Sequence, residues 1–113
     1  MEHLVIGVAR FTLRLPACRS LKEKRRVVNR VRDRLRARHN VSVAEIGGQD
    51  EHRRAVLALG MVGSDARGVE SSLRALLDKV EQMQVAAMVE RVVEVEVWGD
   101  DLAERGRDFQ FEL

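Results

Sequence analysis

Strand and helix signals follow one another along this chain in the order β-α-β-β-α-β, and that order restricts its fold more than any other feature of the 113 residues. His3 to Leu15 (HLVIGVARFTLRL) is rich in branched and aromatic residues, and Pro16 ends it by withdrawing a backbone donor. Ser20-Leu21-Lys22-Glu23 fits a capping box, in which the Ser20 hydroxyl accepts from the Glu23 amide and the Glu23 side chain returns to the Ser20 amide. A helix is predicted from there to about Asn40, with Val27, Val28, Val31 and Leu35 on one stripe at about 100° per residue. VSVAEIGG (Val41 to Gly48) and RAVLALGMV (Arg54 to Val62) read as two strands joined in a hairpin by a polar loop. Ser64 or Asp65 is suited to cap a second helix that gathers Val69, Leu73, Leu76, Leu77, Val80 and Met83 on one face. VVEVEVW (Val92 to Trp98) alternates as a half-buried strand, with Val93, Val95 and Val97 opposite Glu94, Glu96 and Trp98.

This order predicts a ferredoxin-like α+β sandwich: two split β-α-β units, a four-stranded antiparallel sheet and both helices on one face. Residues 1–98 form the expected domain, and 99–113 a polar, glycine-punctuated tail expected to be flexible, although Phe109 and Phe111 could dock as a short strand. The helix-free face needs a cover. Leu4, Ile6 and Val8 lie on the side of the first strand opposite Phe11, Leu13 and Leu15, so that strand is apolar on both sides. A sheet facing water alternates apolar and polar residues, so a homodimer through Leu4, Ile6 and Val8 is expected, with the tail as the competing cover.

Charge is distributed as unevenly as hydrophobicity. Cys18 to Asn40 holds ten of the 20 Lys and Arg but two of the 18 Asp and Glu, a local net charge of +8 against −6 for the remainder. The near-neutral total of +2 therefore conceals a dipolar molecule. Seventeen of the 20 cations are Arg, so the location of the charge is more informative than its identity. Lys22, Lys24, Arg25, Arg26, Arg32 and Arg36 are the candidate anion- or nucleic-acid-binding residues, and four of them crowd the N-terminal half of the helix. That end carries partial positive charge, which disfavours cations by a few tenths of a kcal/mol each yet helps to recruit phosphate. The bland alternative is a solvated outer face whose arginine stems cover apolar surface. Lys24 is anomalous because it falls inside the apolar stripe, where its ammonium must snorkel out or meet a carboxylate such as Glu45.

The segments GVARFTLRLPACRSLKEKRRVV (Gly7 to Val28), NVSVAEIGGQDEHRRAVLALG (Asn40 to Gly60) and the VEVEV strand resemble the YlxP-like family of small uncharacterised bacterial proteins. Ser20 to Arg25 and Val43 to Glu45 carry the most specific part of that resemblance, which spans roughly residues 3 to 98. The resemblance implies a ferredoxin-like fold. Since such genes are often found among those for translation and ribosome-maturation factors, it also hints at ribosomal work, but it implies no established activity. Asp100 to Leu113 lies beyond the usual end of that domain.

The expected function is thus non-catalytic: RNA or a ribosomal subunit bound by its phosphate backbone on the basic helix, in ribosome maturation or translation. With no Tyr, and with Phe11, Trp98, Phe109 and Phe111 as the aromatic residues, the base-stacking sheet of single-strand RNA binders is absent. Phosphate and shape contacts are expected instead. The alternative is an adaptor recognising an acidic protein segment; an enzyme stands third. Cys18 beside Arg19 near a helix start could favour a thiolate, Asp50, Glu51 and His52 share one loop, and Glu45 could act as a base if buried beside Lys24. None forms a complete catalytic or metal-binding motif, and no cofactor is expected. A single Cys, with no signal segment and no run of 18 apolar residues, leads to the expectation of a cytoplasmic protein without membrane attachment.

Overall fold

The computed structural model describes residues 3–99. Along the chain run β1 (Leu4–Arg14), α1 (Leu21–Arg36), β2 (Ser42–Gly47), β3 (Arg54–Gly63), α2 (Ala66–Gln82) and β4 (Ala87–Trp98). The sheet has the order β2-β3-β1-β4 with every neighbouring pair antiparallel, the ferredoxin-like arrangement. The tail, with Phe109 and Phe111, lies outside the described residues apart from Gly99.

Period-two alternation decides which face of the sheet meets the helices. On β1 Val5, Ala9, Phe11 and Leu13 are buried with Val28, Val31 and Leu35 of α1 and Val69, Leu73, Leu76, Leu77 and Val80 of α2 in one cluster. Each such large side chain is worth roughly 1.5–3 kcal/mol when fully withdrawn from water. Gly7 lies in the same row because α2 passes directly over it: a β-carbon there would collide with Val69 and meet the Leu73 Cδ1 at 2.7 Å. The opposite row carries Leu4, Ile6 and Val8, beside Val62 and Gly60 of β3 and Glu96 and Glu94 of β4.

Three local departures from expectation have physical causes. Glu23 closes the start of α1 as anticipated by receiving the Ser20 Oγ bond at its amide (3.1 Å), but its carboxylate accepts from the Arg19 amide at 2.6 Å, one residue before the expected donor. The helix ends at Arg36, not near Asn40, with the Ala37 amide bonded to the Asp33 carbonyl; the chain leaves early enough for Val41 to be buried in the core. β4 begins at Ala87, five residues before the predicted strand. Val89 pairs with Thr12 and Val92 with Arg10, so Glu90 and Arg91 together oppose Phe11, forming a bulge in which Glu90 takes φ 55°. That bulge hid the strand by interrupting its alternation. It also lets Thr12 Oγ1, buried on the helix-free face, donate to Glu90 Oε2 at 3.2 Å, while Arg91 reaches α2 and pairs with Asp78 (3.1 Å) and Glu81 (2.9 Å).

Candidate functional site

α1 buries one stripe and turns its remaining circumference to solvent. Lys22, Arg25, Arg26 and Arg36 are exposed; Arg32 is half-buried, and its Nη1 donates to Asn29 Oδ1 at 3.3 Å. Lys24 is a correction to the expected binding face: it is 2% exposed, and its ammonium points away from any external ligand. Its Nζ lies 3.0 Å from Glu45 Oε2 and donates to the Gly48 carbonyl at 2.6 Å, with the Arg54 and Gln49 carbonyls at 3.3 and 3.4 Å. The stem follows the apolar stripe while its charge is neutralised by one carboxylate and a ring of carbonyls, which is how a lysine survives in a core. Gly48 makes the ring possible. It sits at φ 74°, and a β-carbon there would stand 2.9 Å from the Arg54 carbonyl oxygen.

Two arginines not among the sequence-derived candidates complete the basic face. Arg30 and Arg34 follow Arg26 at steps of four, so the three project from one flank of α1 over about 12 Å of helix. With Asn29, Asp33 and Ala37 they form one wall of a groove of ≈ 820 Å³ whose other side is Gln82 and Met83 at the end of α2. Four-residue spacing was the available signal, but the groove depends on where α2 ends. Among the described residues, none of Lys22, Arg25, Arg26, Arg30, Arg34 and Arg36 makes an ion pair, whereas Arg74 on α2 pairs with Glu70 at 3.0 Å. Three such guanidinium groups in a row repel one another and attract anions; among the described residues Asp33 is the one carboxylate that opposes them within the groove.

Beside the groove, and sharing Arg26 with it, lies an apolar hollow of ≈ 540 Å³ formed by Leu15, Pro16, Val27, Val85 and Ala86 together with Cys18 and Glu23. Cys18 is buried, and its thiol is pushed up from 9.0 by burial and then by the charge of Glu23, with Lys24 offsetting part of the effect. It is a protonated thiol at neutral pH, the reverse of the thiolate that a nucleophile requires. Glu45 is committed to Lys24. Among the described residues no group of three or more His, Cys, Asp and Glu is arranged to hold a metal ion, and no helix is long and apolar enough to cross a membrane.

A four-stranded antiparallel sheet in the order β2-β3-β1-β4, two helices and an arginine-rich outer helix face define a small ferredoxin-like α+β protein. The chain belongs to the family described as Protein of unknown function (DUF503), whose model matches residues 6–94. Uncharacterized protein YlxP of Bacillus subtilis (strain 168) is 40% identical over 58 residues, and the match covers 51% of this chain and 63% of that relative's length. Among solved structures, the de novo designed protein Foldit4 is 15% identical with a TM-score of 0.47 over 88% of this chain and 99% of its own. A putative PII-like signalling protein from Thermus thermophilus is 18% identical with a TM-score of 0.42, covering 97% of this chain and all of that one.

Proposed function

We propose that this protein binds the phosphate backbone of structured RNA, free or within a ribosomal subunit, through the outer face of α1, and that it does so in the cytoplasm without catalysis. The observation that carries this reading is the exposed row of Arg26, Arg30 and Arg34 along one wall of a groove, with no ion pair among the described residues. Guanidinium forks match phosphate oxygens, and a duplex offers a negative charge about every 1.7 Å of its axis, so a row of this length meets several. Among the described residues, no aromatic side chain lines the groove or the adjoining hollow. Binding by charge and shape, with little reading of base sequence, is the mode that this chemistry supports.

Each phosphate contact releases counterions, so affinity for an RNA duplex or ribosomal subunit should fall steeply with salt. Replacing Arg26 and Arg30 by Ala is expected to reduce the slope of log K against log salt by about one to two units. Arg74→Ala, which removes a cation already paired on α2, should leave the slope unchanged. Absence of binding to both RNA and ribosomal subunits at low salt would refute the reading.

The apolar hollow beside Arg26 favours a second reading, an adaptor that recognises an acidic protein segment bearing an apolar anchor. A protein partner retained on the immobilised chain after nuclease treatment, and lost on Arg26→Ala, would favour it over RNA. We also propose that two copies associate through the helix-free sheet face, where Leu4 and Ile6 are half-buried and Val8 is exposed. Sedimentation of the wild type at micromolar concentration tests this, and a monomer would refute it.

A further inference from the structure

Large apolar side chains left in water are concentrated on one surface. Among the described residues the exposed ones are Val8, Ile46, Val62, Val92 and Val97, each 48–58% exposed; the strand register puts Val8, Val62 and Val92 on the helix-free face, and Ile46 lies at the irregularity of β2 between Glu45 and Gly47. The same face has a depression of ≈ 270 Å³ bounded by Ile6, Asn40, Ser42, Gly60 and Val62. Its floor is Gly60, where a β-carbon would meet nothing within 4 Å. Gly60 is the cross-strand partner of Val8. A protruding valine thus stands directly beside a hollow on the neighbouring strand.

We infer that the cover of this face is a second copy of the chain, packed about a two-fold axis that runs along the strands between β1 and β3, so that Val8 of each copy fills the hollow over Gly60 of the other. This inference rests on the homodimer reading above and adds its geometry. A two-fold in that position exchanges β1 with β3 and β4 with β2 while keeping each residue at its own level along the strands. Val8 then lies over Gly60, Ile6 over Val62, Arg10 over Ala58, Glu94 over Ser42 and Val92 over Ala44. From Ile6 to Arg10 the pairings beside the axis join a larger side chain to a smaller one or two apolar ones; farther along, Thr12 lies over Val56 and Arg14 over Arg54. An axis across the strands between Glu94 and Glu96 would instead stack β4 on β4 with levels reversed and press Glu94 of each copy against Glu96 of the other. Avoiding that carboxylate stack favours the first axis, whose own like-charged pairing, Arg14 over Arg54, lies at the end of the strands. The usual crossing of about 30° between packed sheets spoils the match only away from the axis, and Val8 and Gly60 lie beside it. Four strands about 4.8 Å apart and about ten residues long give a footprint of roughly 650 Å² before side-chain relief is counted, close to the ~800 Å² per partner of a standard interface.

Analytical ultracentrifugation of the full chain and its variants tests the geometry. Gly60→Val puts its β-carbon into open space on its own protomer and its methyl groups toward the hollow, and the contact occurs twice per dimer, so the dissociation constant should rise at least about 30-fold; a melting curve of the dissociated variant checks that its own fold is kept. Val8→Gly combined with Gly60→Val exchanges knob and hollow and should restore the wild-type dimer. Ile6→Asp serves as an independent disruption of the face. A wild type that sediments as a monomer overturns the homodimer reading and this inference together. A dimer that tolerates Gly60→Val, or is weakened by it and not restored by the double variant, overturns the Val8–Gly60 axis alone.

Discussion

Lys24→Met tests whether the buried ammonium is a structural tie. Methionine retains most of the aliphatic stem within the apolar stripe, so the substitution isolates the charge. Lost with it are the 3.0 Å ion pair to Glu45 and the 2.6 Å bond to the Gly48 carbonyl. Glu45 then remains a carboxylate with 20% of its side chain exposed and its partner gone. Breaking a buried pair from one side costs about 3–5 kcal/mol, and the partial hydration of Glu45 sets the expectation at the lower end, about 3 kcal/mol. For a domain of this size that corresponds to a fall of about 10 °C or more in Tm. Glu45→Gln leaves the ammonium its carbonyl ligands and should cost about 1 kcal/mol. Lys24→Met with Glu45→Met removes both charges and should recover at least about 1 kcal/mol of the single loss, a coupling that urea denaturation of the four proteins of the cycle can resolve. A loss below about 1 kcal/mol for Lys24→Met, or an equal loss for Glu45→Gln, would refute the argument that the carbonyl ring and the ion pair act together on one buried charge.

Gly7→Ala should destabilise the fold by about 1–3 kcal/mol in the same denaturation assay, because its methyl would displace Val69 and Leu73 of α2, whereas Gly60→Ala, with open space at that position, should change monomer stability by less than about 0.5 kcal/mol. Cys18 has its folded-state pKa raised above 9.0, so its contribution to stability is fully present below pH 9 and is lost as pH rises toward the folded value. Alkylation rates measured against pH should therefore show the native thiol lagging behind the urea-unfolded chain at about pH 9; equal rates would contradict its burial.

Element order was legible because apolar periodicity switches cleanly between two and 3.6 residues, and Ser20 and Glu23 mark the start of α1 with side chains that act locally. The start of β4 was not legible, because a bulge depends on the strand it opposes: Glu90 and Arg91 look like an interruption until Phe11 is seen across from them. Lys24 could be seen to sit in the apolar stripe, and Glu45 could be named as a carboxylate for it. The carbonyls of Gly48, Gln49 and Arg54 could not, since backbone oxygens have no sequence signature and their convergence depends on the left-handed Gly48. Similarly, Arg26, Arg30 and Arg34 are visibly four apart, but the groove they line needs Gln82 and Met83 from another helix.

The position of β1 has a consequence for how the chain acquires its structure. Of the four strands of this sheet it is the first to be synthesised, and it is a central one, paired with β3 on one edge and β4 on the other. Until the last strand leaves the ribosome, the edge that will receive it presents unpaired amides and carbonyls beside the apolar row of Val5, Ala9 and Phe11, a template open to any other extended segment. The pairing that closes it joins Leu4 to Trp98, nearly the whole sequence apart, and loop closure over that distance slows the final step. The same register brings those two residues side by side. In a circular permutant of residues 4–98, with those two joined by a short turn and new ends in the β2–β3 loop, the most distant pairing becomes a hairpin, and the permutant should fold faster to the same sheet.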